Sequence, residues 1–292
     1  MEGLRAALAE IGFEAEYCAI ERRKTLSLLV DMGDPAVQEF EREGYVLFPE
    51  VLDEDLIAEA GEHLNWLLKK NPHLRPENLD TQLITKDAFW VRLISDERLL
   101  DIAQKFIGPN IALFASHYIS KPPFDGRPVL WHQDGSYWPL KPMDVVTLWL
   151  AVDDSLPENG CMRVIPGTHR SELMQMQTRN DVTSVLGSGM AEGAVDESKA
   201  ADCVLKAGGV SVHHPNIIHG SNANHSPRRR CGLTIRYIPT TTRITMQPNY
   251  ETNEGRWSGA FLLRGEAVPG VNDYNPIPKF DPEFSMPFKP AG

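Results

Sequence analysis

From Asn110 onward the chain changes texture. Helix-length periodicity gives way to short runs rich in β-branched and aromatic residues: NIALFASHYIS, PVLWHQD, VVTLWLAV, CMRVIP, GGVSVHHP and GLTIRYIP. Each is bounded by Pro, Gly, Asn or Asp, which mark turns. A series of this kind closes into an all-β barrel or sandwich with its helices packed outside. The expected fold class is therefore mainly β, formally α+β. At 292 residues, length alone leaves one large β domain or two ordinary ones open.

The helices precede this region. Asp34-Pro35 offers an N-cap and a first-turn proline for a helix over AVQEFEREG. YVLFPEVL reads as a short strand. Asp53 can cap DEDLIAEAGEHLNWLLKKNP, where Leu56, Ala60, Leu64 and Leu67 recur at helical spacing, and ERLLDIAQKFIG is a further helix closed by Gly108. Residues 1–33 read as a helical N-terminal extension, and residues 34–292 as one α+β domain. Residues 175–200 and the Gly/Pro/Asn-rich stretch after Thr240 read as long loops able to cover a pocket.

Composition excludes several classes. The net charge of −11 gives no footprint for nucleic acid or an anionic membrane surface. No stretch approaches the eighteen or so apolar residues of a membrane span. The first residues lack the basic start and apolar middle of a secretory signal. Cys18, Cys161, Cys203 and Cys231 are widely spaced, with no C-x-x-C pair, which fits a reducing cytoplasm rather than a disulfide framework or a thiolate zinc site. Oligomeric state is not legible, and a homodimer stays open.

The chemistry-bearing residues come in two segments. In WHQDGSYW, His132 and Asp134 are two apart on an expected strand, so both side chains leave one face and can hold one ion. Nine histidines, each with roughly a 5–6% chance of Asp two positions on, make the triplet alone a weak signal. The second segment strengthens it: in GGVSVHHPNIIHGSNANHSPRRRCGLTIRYIP a strand ends at His219-Gly220-Ser221 and an Arg cluster follows. Two His and one carboxylate leave three positions of a metal open, the arrangement of non-haem iron(II) oxygenases. His213, His214 and His225 compete with His219, and Arg228, Arg229 and Arg236 compete with Arg230. If the second strand begins by 230, Arg236 shares a face with Arg230, Gly232 and Thr234.

With these residues in place the sequence resembles the phytanoyl-CoA dioxygenase family of iron/2-oxoglutarate enzymes from about Gly44 to Pro239. The matching stretches are LITK, GPNIALFASHYISKPP, WHQDGSYWPLKP, ENGCMRVIPGTHR and HGSNANHSPRRR. The resemblance implies a double-stranded β-helix, or jelly roll. It implies Fe(II) held by His132, Asp134 and His219, with 2-oxoglutarate and O2 as cosubstrates and Arg230 on the 2-oxoglutarate C5 carboxylate. Lys86 and Ser221 match positions near the cosubstrate, and His169 falls at a structural position; in VVTLWLAV the odd strand face carries Val145, Thr147 and Trp149, which makes Trp149 a pocket wall beside the cosubstrate. Gln133 and Tyr137 are expected to line the substrate pocket, with Phe89, Trp90, Trp138 and the loop around Trp257 as further aromatic walls.

In related halogenases a small residue replaces the carboxylate ligand, so Asp134 favours hydroxylation of a small organic molecule. The family acts on acyl-CoAs, amino-acid derivatives and secondary metabolites, and the substrate here is unnamed. The competing readings are a jelly-roll protein that binds metal or ligand without turnover, against which the intact triad plus Arg230 argues, and a zinc or manganese cupin-like isomerase or hydrolase, which has no use for the carboxylate-binding Arg.

Overall fold

A computed structural model describes residues 30–79, 81–245, 257 and 259–287; most of the expected N-terminal extension lies outside them. The chain enters through helix α1 (Pro35–Glu43), capped by the Asp34 carboxylate on the Ala36 N–H at 2.8 Å and ended by Gly44 in the left-handed region at φ 81°. A side chain at Gly44 is also excluded by space, because a Cβ there would meet His169 Nδ1 at 2.4 Å. Strand β1 (Tyr45–Phe48) and helices α2 (Glu54–Lys70), α3 (Ala88–Ile94) and α4 (Glu97–Ile107) follow. Asp53, Asp87 and Asp96 cap the three helices in turn, each accepting from a backbone N–H of the first turn.

The β region comprises β2 (Ile111–Lys121), β3 (Val129–His132), β4 (Leu140–Lys141), β5 (Val146–Ala151), β6 (Met162–Val164), β7 (Gln177–Thr178), β8 (Ser188–Gly189), β9 (Ala201–Cys203), β10 (Val210–His213), β11 (His219–Ser221), β12 (Arg230–Pro239), β13 (Arg243–Ile244) and β14 (Phe261–Arg264). The larger sheet runs β1-β10-β5-β12-β2-β14, and the smaller runs β3-β11-β6-β9. The pairings in both are antiparallel. Two sheets of this kind facing one another form the double-stranded β-helix expected.

Strand alternation decides which face does what. Leu233, Ile235 and Tyr237 of β12 and Val146, Leu148 and Leu150 of β5 turn outward and share one apolar core with the helices. Phe89 and Trp90 belong to that core: both are completely buried in α3, and the Trp90 indole N–H donates to Ser116 Oγ at 3.0 Å. They are therefore packing residues and not pocket walls, a correction to the reading from sequence. Burying side chains of this size stabilises by about 1.5–3 kcal/mol each. His63 of α2 ties the helical layer to the sheet, with Nε2 2.7 Å from Asp87 Oδ2 and Nδ1 3.0 Å from the Tyr118 hydroxyl. The alternate residues Arg230, Thr234 and Arg236 of β12, with Thr147 and Trp149 of β5, face the space between the sheets.

Behind that space, His214 packs between the rings of Phe40 and His169, and its Nδ1 accepts the Asn216 N–H at 3.0 Å. Burial, aided by His169 and His213, lowers its pKa to about 4. An unfolded His titrates near 6.5, so between about pH 6.5 and 4 the unfolded chain takes up a proton that the folded chain refuses. Stability from this group is present above that window and falls with pH inside it, by at most about 1.4 kcal/mol per pH unit. Urea unfolding measured from pH 7 to 4 is expected to show this slope, and His214→Asn to make it shallower; an unchanged slope in the variant would contradict the assignment.

Candidate metal centre and its pocket

His132 ends β3 and Asp134 opens the turn that follows, while Gln133 between them keeps an extended backbone at φ −121°, ψ 121°. The alternation that aims His132 and Asp134 the same way therefore survives the end of the strand. His219 opens β11 directly opposite His132 in the antiparallel register. Candidate ligand atoms of His132, Asp134 and His219 all lie within 4.8 Å of one another, and all three residues are buried. His132 Nε2 is 3.5 Å from Asp134 Oδ1, and His219 Nε2 is 3.9 Å from Oδ2.

The backbone sets the tautomers. His132 Nδ1 lies 2.8 Å from the Leu130 carbonyl and His219 Nδ1 3.0 Å from the Ile217 carbonyl. A carbonyl can only accept, so both Nδ1 atoms carry the proton and both Nε2 lone pairs are free for a metal. Burial and the neighbouring His132 hold His219 well below the ordinary His pKa, keeping it neutral. Burial would raise the Asp134 carboxyl, but Arg236 and the surrounding histidines outweigh it and hold the group well below the usual carboxylate range. Two neutral imidazoles and a carboxylate on one side of a pocket make a donor set suited to a divalent first-row ion with open positions.

Of the competing histidines, His213 reaches the same pocket and the other two do not. Its Nε2 is 3.9 Å from Asp134 Oδ2, and neither ring nitrogen has a hydrogen-bond partner among the described residues. His214 is turned towards Phe40, and His225 is exposed.

The arginine cluster separates in the same way. Arg228 pairs with Glu158 at the surface, and Arg229 forks onto Asp153 at 2.7 and 2.8 Å. Arg230 alone of the three turns inward: it is 2% exposed, donates to the Gly160 carbonyl at 3.0 Å and reaches Ser221 Oγ at 3.4 Å. The ring of Trp149 lies 5.3 Å from its guanidinium carbon. Burial pulls the Arg230 pKa down to about 10, which still leaves it charged at neutral pH. Among the described residues no carboxylate stands within ion-pair distance of it.

The structure moves two of the expected site residues. Lys86 is not at the pocket: its ammonium lies 4.4 Å from the Phe284 ring, beside a separate cleft lined by Trp66 and Leu67. Lys121, which the sequence reading passed over, is the lysine beside the site. It pairs with Arg230 across β2 and β12, and donates to Ser221 Oγ at 2.7 Å. Gln133 points away from the metal face, as alternation requires of a residue between two ligands. Its amide N–H donates to the Asn216 carbonyl and its oxygen accepts the Met174 N–H, both at 2.8 Å, which braces the loop after β6. Tyr137 stays at the mouth, 38% exposed, with its hydroxyl 2.9 Å from Ser188 Oγ.

The pocket between the sheets is lined by the three candidate ligands together with Trp149, Ser221 and Arg230. Trp149 keeps its place in it because position 232 has no side chain: a Cβ on Gly232 would sit 2.0 Å from Trp149 Cζ2. Gly232→Ala is therefore expected to push the indole against Arg230 and to raise the KM for a ligand held there by roughly tenfold, about 1.4 kcal/mol. An unchanged KM would show that Trp149 can yield without disturbing Arg230.

Comparison with known proteins gives four matches. The family model for phytanoyl-CoA dioxygenase matches residues 40–232. A probable alpha-ketoglutarate-dependent hypophosphite dioxygenase of Stutzerimonas stutzeri is 32% identical over 171 residues, 58% of this chain and 55% of that protein. An ectoine dioxygenase of Sphingopyxis alaskensis is 25% identical over 230 residues, 70% of this chain and 75% of that protein. The match thus spans only about half the length of the first of these relatives. Among solved structures, the apo form of the non-heme monooxygenase ThoJ superposes with a TM-score of 0.71 at 23% identity, over 86% of this chain and 92% of that one, which establishes the fold.

Proposed function

Since the chain belongs to the phytanoyl-CoA dioxygenase family, we propose that it is an Fe(II)- and 2-oxoglutarate-dependent dioxygenase that hydroxylates, or otherwise oxidises, a small organic molecule. One observation carries this reading. Two histidines with backbone-fixed tautomers and one carboxylate share a pocket with a buried arginine that has no carboxylate partner among the described residues. A zinc or manganese isomerase has no use for that guanidinium, and a plain binding protein has no use for the open metal face.

In this reading His132, Asp134 and His219 hold Fe(II) through two Nε2 atoms and a carboxylate oxygen. The bound metal supplies the activation of O2 coupled to decarboxylation of 2-oxoglutarate to succinate and CO2. Arg230 and the Ser221 hydroxyl receive the distal carboxylate of 2-oxoglutarate, a permanently charged fork suited to two carboxylate oxygens. Lys121 adds a second donor behind Ser221, its pKa held well below the ordinary lysine value by burial and by Arg230, and the Trp149 ring covers the guanidinium and keeps water from it. The buried, free thiols of Cys161, Cys203 and Cys231 support a reducing, cytoplasmic setting.

The protein reconstituted with Fe(II) in air is expected to consume 2-oxoglutarate and release succinate slowly even without a substrate, and His132→Ala is expected not to. Absence of succinate from the wild-type protein, with iron shown to be bound, would favour the non-oxygenase reading.

A further inference from the structure

The metal pocket adjoins a second, outer pocket, and His117, Asp134, Leu186 and Arg236 line both. The outer walls are flat and apolar. Phe114 stacks on Trp257 with ring centroids 5.0 Å apart, and Trp138 meets Phe114 edge-on at 5.8 Å. Where the two cavities join stands one guanidinium, that of Arg236, only 7% exposed and 5.0 Å from the Trp138 ring.

The hydrogen bonds of Arg236 are one-sided. Nη1 donates to Thr234 Oγ1 at 3.0 Å and to His117 Nδ1 at 2.9 Å. An arginine has no acceptor to offer, so His117 Nδ1 carries the lone pair and the ring is neutral. The other edge is unused. Among the described residues Nε has no partner, and Nη2 comes no closer than 3.9 Å to Asp134 Oδ2, beyond a hydrogen bond. That Nε–Nη2 edge is the one with which Arg229 grips the two oxygens of Asp153 at 2.7 and 2.8 Å.

A buried guanidinium with an empty fork is costly until an anion fills it. Asp134 does not fill it: its nearest oxygen stands 3.9 Å from Nη2, beyond a hydrogen bond, and it is the only carboxylate among the described residues lining either cavity. The distal carboxylate of 2-oxoglutarate is accounted for by Arg230.

Resting on the dioxygenase reading, we propose that Arg236 is the substrate-recognition residue and that the substrate is a small carboxylate with an apolar body. Its carboxylate binds the Nε–Nη2 edge of Arg236. Its body lies against Trp138, Phe114 and Trp257, and the carbon to be oxidised is presented to the face of His132, Asp134 and His219.

The test is calorimetry on the full chain, loaded anaerobically with Fe(II) and 2-oxoglutarate, with the metal-free chain measured beside it. The probes are benzoate, phenylacetate, 3-phenylpropionate and hexanoate, each against its primary amide. At least one carboxylate is expected to bind about tenfold or more tightly than its amide. That preference should vanish in Arg236→Gln and persist in Arg236→Lys, which keeps the charge and controls for folding. Trp138→Leu should weaken acid and amide together and leave their ratio intact, which a merely structural arginine would not produce. If the Fe(II)–2-oxoglutarate absorption forms normally and no carboxylate is preferred, or the preference survives Arg236→Gln, the inference fails while the dioxygenase reading stands. If the absorption does not form but the Arg236-dependent preference appears in the metal-free chain, the dioxygenase reading fails and the carboxylate site stands.

Discussion

Replacing His132, Asp134 or His219 by alanine is expected to lower Fe(II) affinity by at least about 100-fold, because even removal of a residue that merely orients a metal ligand typically costs 10–100-fold. The three substitutions should not be equal in other respects. His132→Ala and His219→Ala each remove a neutral donor that the backbone holds through Nδ1. Asp134→Ala removes the only carboxylate among the described residues lining the pocket and so leaves the buried guanidinium of Arg236 without a counter-charge in the metal-free protein. It should therefore also reduce the stability of the metal-free protein, by about 3–5 kcal/mol if the pair behaves as a buried ion pair broken on one side. Anaerobic iron binding and urea unfolding of the three variants check both statements. Iron affinity within a few-fold of wild type in any of them would remove that residue from the ligand set.

The second large effect is at Arg230. Truncating a buried, hydrogen-bonded partner of a charge costs about 2–5 kcal/mol, so Arg230→Leu is expected to raise the KM for 2-oxoglutarate at least thirtyfold while Fe(II) affinity is kept. Arg230→Lys restores the charge without the fork and should recover only part of the loss. Arg228→Leu and Arg229→Leu serve as controls, since their partners Glu158 and Asp153 lie outside the pocket. If Arg230→Leu leaves the KM unchanged and Lys121→Met raises it, the cosubstrate lies on the lysine instead.

Much of the site was legible because strand alternation is a strict rule. The spacing of His132 and Asp134, the inward face of Thr147 and Trp149, and the shared face of Arg230, Thr234 and Arg236 all follow from the period of two. The same rule, applied to Gln133, would have turned it away from the pocket. The strand start at Arg230 also explains why one arginine of three points inward: Arg228 and Arg229 precede the ladder and find surface partners.

What could not be read was set by long-range packing. Phe89 and Trp90 look the same in sequence whether they line a pocket or fill a core, and only the position of α3 against the larger sheet decides. The choice between Lys86 and Lys121 depends on the pairing of β2 with β12, separated by more than a hundred residues. Arg236 stood among the competitors for the role of Arg230, and its empty fork appears only once His117 and Thr234 are placed around it.

The most direct test of the account is an anaerobic titration of the purified chain with Fe(II) and then 2-oxoglutarate, followed by visible absorption. The weak metal-to-ligand charge-transfer band of an Fe(II)–2-oxoglutarate chelate should appear at one equivalent of each, stay absent in His132→Ala and bleach on exposure to oxygen with release of succinate. A chain that binds iron but forms no band at saturating 2-oxoglutarate would contradict the account.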